Sequence, residues 1–287
     1  MSPAVIEEGG CLLMLYRRVL ERVGDAREST AYLDRSVIAL ADSLDGVRFT
    51  ARPGVALEGG RPPAAQGVED PTILRTRGEV IVFYTGWSGW KEGIASLLWA
   101  RGSSLDRLQP QGVAIAPMAP TRFVKEAEPV PAANGDVLLW CEVDTLDEGR
   151  ERSLIACCRA PAIGGPYSMP EIVARPRQNR WDAVNVSTGP LVFDGGRCYM
   201  LYNGMVRLED PAFMHAARIG LMELDPRSGR VLARSRAPVL EAPEGARLIF
   251  SASIWNDRLY YTIDDSEIWV ARLNHQALGM VAMEAEA

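Results

Sequence analysis

The sequence is poor in the residues that several classes of functional site require. It contains 2 histidines and 5 cysteines among 287 residues, and it has no Cys-x-x-Cys pair. Residue spacing therefore indicates neither a metal centre nor a Ser/His/Asp site, and we expect no cofactor. The 37 acidic residues outnumber the 31 basic ones, giving a formal net charge of -6. Because nucleic-acid binding needs a basic face, this charge argues against a nucleic-acid partner.

Long apolar runs are also lacking. No run approaches the roughly 20 residues of a membrane span. The first residues have neither the basic segment nor the apolar segment of a signal peptide. The odd number of cysteines, most of them inside apolar runs, is typical of buried reduced thiols. We therefore expect no membrane partner and a cytoplasmic location, while the oligomeric state is left open.

The most informative stretch is an acidic pair followed by proline, Glu69-Asp70-Pro71. Two apolar runs follow, separated by Arg77-Gly78, and this pattern predicts a β-hairpin. A carboxylate pair at the entrance of a rigid hairpin suits chemistry on a polar ligand. The alternative interpretation is that Glu69 and Asp70 are loop charges ahead of a strand.

One unit recurs five times, with a period of about 60 residues. Each copy is a tight turn, an apolar run, an aromatic residue and a polar residue, and a second apolar run follows. The turns are Gly9-Gly10, Arg77-Gly78, Asn134-Gly135, Gly195-Gly196 and Asn256-Asp257. Such sheets bury their faces when they pack radially, so the sequence predicts an all-β fold, a five-bladed β-propeller. We expect residues 1–273 to form it and residues 274–287 to be a C-terminal tail.

The same repeat predicts where polar side chains meet. In a propeller, the residues that end equivalent strands face one shared mouth. Arg17, Glu142 and Asn203 end their runs in this way. We therefore expect them in one pocket with Asp70.

At this point the residues resemble a known family. The order of motifs resembles glycoside hydrolase family 130, whose members are inverting β-mannoside phosphorylases and hydrolases with a five-bladed propeller fold. The motifs are Ser2-Pro3, Tyr16-Arg17, Ser43-Leu44-Asp45-Gly46, Glu69-Asp70-Pro71, Trp181, Gly189-Pro190, Tyr202-Asn203-Gly204 and Tyr260-Tyr261 with Asp265. The resemblance covers nearly the whole chain and implies a carbohydrate or glycoside ligand.

The departures from the family pattern bear on the reaction. Where family phosphorylases hold phosphate with lysine, histidine and arginine, this chain has Asn185, Asn203 and Glu142. Phosphate is a dianion that needs cations or aimed N–H groups. The resemblance, with these departures, therefore predicts hydrolysis of a β-mannoside or related glycoside with inversion, without phosphate.

A further departure concerns the proton donor. Ser88 stands where the family has its proton-donor aspartate, and a serine hydroxyl is not a general acid at neutral pH. Either another carboxylate has taken over, or the chain binds a sugar or sugar-containing metabolite without cleaving it. A plain interaction propeller is a third alternative, disfavoured because the WD40 signature is absent.

Inverting hydrolysis needs two carboxyl groups roughly 6.5–9.5 Å apart. The candidate catalytic residues are Asp70, Glu142 and Asp265. Alternatively, Glu142 is a solvated acid in an acidic loop and Asp265 belongs to a plain hairpin turn. The candidate substrate-binding residues are Arg17, Glu69, Trp87, Ser88, Trp90, Lys125, Trp181, Asn185 and Asn203. The three tryptophans are expected either as exposed platforms for sugar faces or as covers of a sheet edge.

Overall fold

The structure is a computed structural model that describes residues 2–21, 35–76, 78–89, 93–132, 134–147, 150–207 and 215–286. The alternating apolar pattern of the repeat produces strands almost throughout. One short helix and one 3-10 turn, Leu105–Arg107, are the only helical elements in these ranges. No helix in them has the length and hydropathy needed to cross a membrane.

The first three blades are regular four-stranded antiparallel sheets, in which strands follow one another in chain order. The first blade comprises β1 (Ala4–Glu8), β2 (Cys11–Glu21), β3 (Arg35–Ser43) and β4 (Thr50–Ala51). The second comprises β5 (Gly67–Thr76), β6 (Glu79–Gly89), β7 (Ile94–Gly102) and β8 (Gln109–Ile115). The third comprises β9 (Val124–Pro131), β10 (Val137–Asp147), β11 (Arg150–Ala160) and β12 (Glu171–Ala174).

The fourth blade is interrupted halfway along its strands. Its strands are β13 (Asn185–Ser187), β14 (Leu191–Asp194), β15 (Arg197–Met200), β16 (Asn203–Arg207), β17 (His215–Ile219), β18 (Met222–Leu224) and β19 (Val231–Ser235). They form two sheets, β13-β16-β17 and β14-β15-β18-β19. The break falls at Leu201-Tyr202 and Gly220-Leu221, where the Gly220 N–H still donates to the Tyr202 carbonyl at 2.8 Å. The two sheets are thus halves of one blade.

The fifth blade has three strands in the described part of the chain: β20 (Ile249–Trp255), β21 (Arg258–Ile263) and β22 (Glu267–Arg272). The helix α1 (His275–Leu278) and the strand β23 (Met283–Ala285) follow. The sequence predicts a C-terminal tail for residues 274–287. In the structure, β23 pairs with β19 and extends the outer edge of the fourth blade.

The core lies between neighbouring blades. Leu15 and Ile38 of the first blade pack in one buried cluster with Val82 and Leu98 of the second. The first strands also meet, since β1 contacts β5 and β20, and β5 contacts β9. These strands therefore surround the axis of the ring. The expected five-bladed propeller is confirmed by this arrangement and by the structural similarities reported below.

Candidate functional site

Asp70 lies at a break in the inner strand of the second blade. Glu69 pairs with Thr85, but the next paired residue of β5 is Thr72, opposite Phe83. Asp70 and its proline therefore oppose a single residue of β6, and the Asp70 backbone is left-handed with φ of 49°. A bulge of this kind re-aims a side chain relative to the regular pleat.

Glu126 occupies the equivalent break in the third blade. Lys125 pairs with Glu142 and Glu128 pairs with Trp140, so two residues of β9 oppose one of β10. Glu126 also has a left-handed backbone, with φ of 53°. Glu126 is not among the site residues that the sequence predicts. A signal was present, because Val68-Glu69-Asp70 and Val124-Lys125-Glu126 share the order valine, charged residue, acid.

Arg17 links three blades. Its Nε lies 3.0 Å from Glu69 Oε2, and its Nη1 donates to Asp265 Oδ2 at 2.7 Å. Trp87 Nε1 donates to the other Glu69 oxygen at 2.7 Å. Arg17, Glu69 and Trp87 are all buried. The Glu69 carboxylate is therefore held on both oxygens.

Lys125 is the second cation of the site. Its Nζ lies 3.2 Å from Glu126 Oε1 and 3.3 Å from Glu142 Oε2. It also lies 5.5 Å from the centroid of the Phe123 ring, which meets the Trp87 ring edge to face with centroids 6.2 Å apart. The Phe123 and Trp87 rings therefore connect Lys125 to Glu69, the partner of Arg17.

Hydroxyl groups hold Asp70, and main-chain groups hold Asn203. The Ser2 hydroxyl donates to Asp70 Oδ1, and the Thr85 hydroxyl lies 3.5 Å from Oδ2. Asn203 Nδ2 donates to the Thr188 carbonyl at 2.8 Å, and its Oδ1 accepts the Ser251 N–H at 2.8 Å. Asn203 therefore ties the inner strands of the fourth and fifth blades.

Carboxylates outnumber cations in this cluster, which we call the axial cluster: Arg17, Glu69, Asp70, Lys125, Glu126, Glu142 and Asp265. No group of three or more His, Cys, Asp or Glu side chains among the described residues is arranged to hold a metal ion. Carboxyl groups in such a cluster can transfer protons and form hydrogen bonds to a polar ligand.

Burial and like charges shift the pKa values of this cluster. Burial and the nearby Asp70 raise the pKa of Glu69 to about 7, against the opposing effects of Arg17 and Lys125. Burial and the neighbouring Glu142 raise the pKa of Glu126 well above its usual range. Burial lowers the pKa of Lys125, but the surrounding carboxylates outweigh it and raise that pKa overall. The cluster therefore binds protons at neutral pH.

The structure places several candidates outside these contacts. Trp181 packs on Tyr202, with ring centroids 5.4 Å apart, and Asn185 Oδ1 accepts the Ser153 N–H at 3.0 Å. The Ser88 hydroxyl donates to the Ile94 carbonyl within its own hairpin at 3.0 Å. Trp90 lies outside the described residues. Trp87 is 6% exposed, so it does not match the expected exposed platform and holds Glu69 instead.

Glu69 should make stability depend on pH. With a pKa raised from 4.5 to about 7 in the folded protein, Glu69 keeps its proton in the folded state while the unfolded chain loses it. Stability should therefore fall as pH rises from 4.5 to 7, by about 3 kcal/mol for this group. Urea unfolding of wild type and Glu69→Gln at pH 4.5 and pH 8 measures this, because the variant lacks the titrating group. An equal difference between the two proteins at both pH values would contradict the assignment.

Comparison with known proteins gives the same fold and one family. The model of glycoside hydrolase family 130, described as beta-1,4-mannooligosaccharide phosphorylase, matches residues 2–247. Beta-1,2-mannobiose phosphorylase from Listeria innocua, solved with beta-1,2-mannobiose, has a TM-score of 0.78 at 18% identity, covering 97% of this chain and 90% of that chain. No curated protein matches the sequence.

Two further solved structures extend the comparison. One, described in connection with family 130 glycoside hydrolases that target β-1,2 mannosidic linkages in Candida mannan, has a TM-score of 0.75 at 17% identity, covering 94% of this chain and 82% of that chain. The Bacillus subtilis arabinanase has a TM-score of 0.63 at 12% identity, covering 96% of this chain and 94% of that chain. At these identities the likeness shows the fold alone.

Proposed function

Because the chain belongs to glycoside hydrolase family 130, whose members are phosphorylases or glycoside hydrolases, we propose that it hydrolyses a β-mannoside or related glycoside with inversion and without phosphate. The solved relatives with mannobiose and with β-1,2 mannosidic targets make β-1,2-linked mannosides the first substrates to test.

The contacts of the two cations carry this proposal. Arg17 is paired with Glu69 and Asp265, and Lys125 is paired with Glu126 and Glu142. A phosphate dianion would have to displace carboxylates that already neutralise both cations, and it would then face those carboxylates unpaired. Water and sugar hydroxyls carry no such charge, so they suit the axial cluster better than phosphate does.

In this proposal the carboxylates of the axial cluster divide two tasks. Asp70 and Asp265 accept hydrogen bonds from sugar hydroxyls. Both side chains are acceptors in the structure, Asp70 for the Ser2 hydroxyl and Asp265 for Arg17. Glu142, buried beside Lys125, belongs to the part of the cluster that moves protons. Inversion requires one protonated and one ionised carboxyl group on opposite sides of the scissile bond.

The test is a turnover assay with and without phosphate. We expect wild type to release mannose from aryl β-mannosides and manno-oligosaccharides at a rate that phosphate does not change, with the α-anomer appearing first by proton NMR. Glu142→Gln should lower turnover by about 10²–10⁴-fold. Glu79→Gln is the matched control, because Glu79 is a surface acid paired with Arg101 and should leave turnover unchanged. Turnover that requires phosphate would reject the proposal.

A second candidate function is binding without cleavage. The observation in its favour concerns Ser88, which stands at the position of the family's proton donor. Its hydroxyl donates to the Ile94 carbonyl within its own hairpin. This alternative predicts that calorimetry detects mannoside binding while no mannose is released with or without phosphate.

A further inference from the structure

Glu126 and Glu142 form a carboxyl pair beside Lys125. The same ammonium group lies 3.2 Å from one carboxylate and 3.3 Å from the other, and the neighbouring Glu142 raises the pKa of Glu126. One lysine cannot neutralise two carboxylates, so the pair retains one proton.

The two members of the pair differ in access. The Glu126 side chain is 24% exposed, whereas that of Glu142 is 5% exposed. The bulge in β9 turns Glu126 out of the regular pleat, while Glu142 continues the ladder of β10 opposite Ile155. Glu126 is therefore the member that can touch a bound ligand.

The Glu126 backbone is fixed in place. The Thr188 hydroxyl of the fourth blade donates to the Glu126 carbonyl, and Asn203 in turn donates to the Thr188 carbonyl at 2.8 Å. A left-handed, non-glycine backbone persists only when its surroundings hold it. These contacts fix the Glu126 backbone at a bulge that is equivalent to the bulge at Asp70 in the second blade.

We propose that Glu126 is the general acid of this chain and supplies the proton that the serine at position 88 cannot supply. This inference rests on the proposed hydrolytic function. The Glu126 O–H bond breaks as its proton passes to the glycosidic oxygen, and the electron pair of the C1–O bond leaves with that oxygen. Water forms the new bond to C1 and gives its proton to an ionised carboxylate of the axial cluster, so charge and protons balance. Glu142 positions the proton on Glu126.

Leaving-group dependence tests this role directly. A general acid matters for a poor leaving group and matters little for one that departs as a stable anion. We expect Glu126→Gln to lower kcat/KM for methyl β-mannoside and β-1,2-mannobiose by about 10²–10⁴-fold. For 2,4-dinitrophenyl β-mannoside the same variant should stay within about tenfold of wild type. The basic limb of the wild-type pH profile should disappear in the variant.

The matched control is Asp70→Asn, which changes the acid at the equivalent bulge of the second blade. It should lower kcat/KM for both kinds of leaving group to a similar extent, because a hydroxyl-binding role does not depend on the leaving group. If circular dichroism shows that Glu126→Gln is unfolded, Glu126→Asp replaces it, and the poor leaving groups should again lose the most.

The possible failures are distinguishable. If wild type hydrolyses mannosides and Glu126→Gln loses activity equally on all leaving groups, or loses none, the acid role is rejected while the proposed function stands. If wild type releases no sugar from any of these glycosides, the proposed function is rejected and the acid role with it.

Discussion

Asp182→Ala should lower the free energy of unfolding by about 3 to 5 kcal/mol, because it removes the one fully buried carboxylate that pairs with both Arg177 and Arg234 and leaves each arginine only a more exposed glutamate. Asp182 is fully buried. It accepts hydrogen bonds from Arg177 Nε at 3.0 and 3.1 Å and from the Tyr202 hydroxyl at 2.7 Å, and Arg234 Nη1 lies 3.5 Å away. Urea unfolding followed by tryptophan fluorescence measures the change.

Two further variants separate the charge from the hydrogen bonds. Asp182→Asn keeps an acceptor for Tyr202 but removes the charge, so its loss should be intermediate. Glu241→Ala removes a surface acid that is 62% exposed and paired with Arg218 at 3.3 Å, and it should change stability by less than about 1 kcal/mol. A loss for Asp182→Ala as small as that for Glu241→Ala would show that the buried network contributes little.

Local features of the sequence were sufficient to predict the blades. Turn glycines such as Gly9-Gly10 and Gly195-Gly196 have positive φ angles, between 55° and 78°, and they join the first two strands of their blades as the repeat predicts. These turns depend on residues adjacent in sequence, since only glycine adopts such angles without steric cost. The architecture then follows from the repetition of the unit.

Long-range pairing was not predictable in the same way. The strand β23 joins the fourth blade through contacts between residues distant in sequence, among them the pair of Arg234 with Glu286. Apolar alternation in a segment as short as Met283–Ala285 is too weak to indicate a strand. The network around Asp182 likewise joins residues between positions 177 and 286, so no short stretch of the sequence indicates it.

The axial cluster was predicted in part. Arg17, Glu69, Asp70, Lys125, Glu142 and Asp265 were all candidates, and the structure brings them together. Glu126 was missed because its importance depends on the register of β9 against β10, where a bulge sets it beside Glu142. Register is fixed by pairing across the sheet, and the sequence of a single strand does not determine it.

Arg17→Met should also lower the free energy of unfolding by about 3 to 5 kcal/mol at pH 8, because it leaves Glu69 buried and ionised without its nearest cation. Arg17 belongs to the first blade, Glu69 to the second and Asp265 to the turn of the fifth. The variant therefore removes an ion-pair network that joins the two ends of the ring. The measurement is urea unfolding at pH 5 and pH 8.

The loss should be smaller at pH 5 than at pH 8. Because the pKa of Glu69 is about 7 in the folded protein, that side chain is largely neutral at pH 5 and no longer needs Arg17. The double variant Arg17→Met with Glu69→Gln should recover part of the stability lost at pH 8 for the same reason. Arg48→Met is the control, since Arg48 is 90% exposed beside Asp45 and its loss should cost less than about 1 kcal/mol at either pH. An equal loss at both pH values for Arg17→Met would mean that Arg17 acts through packing and that Glu69 carries no charge in the folded site.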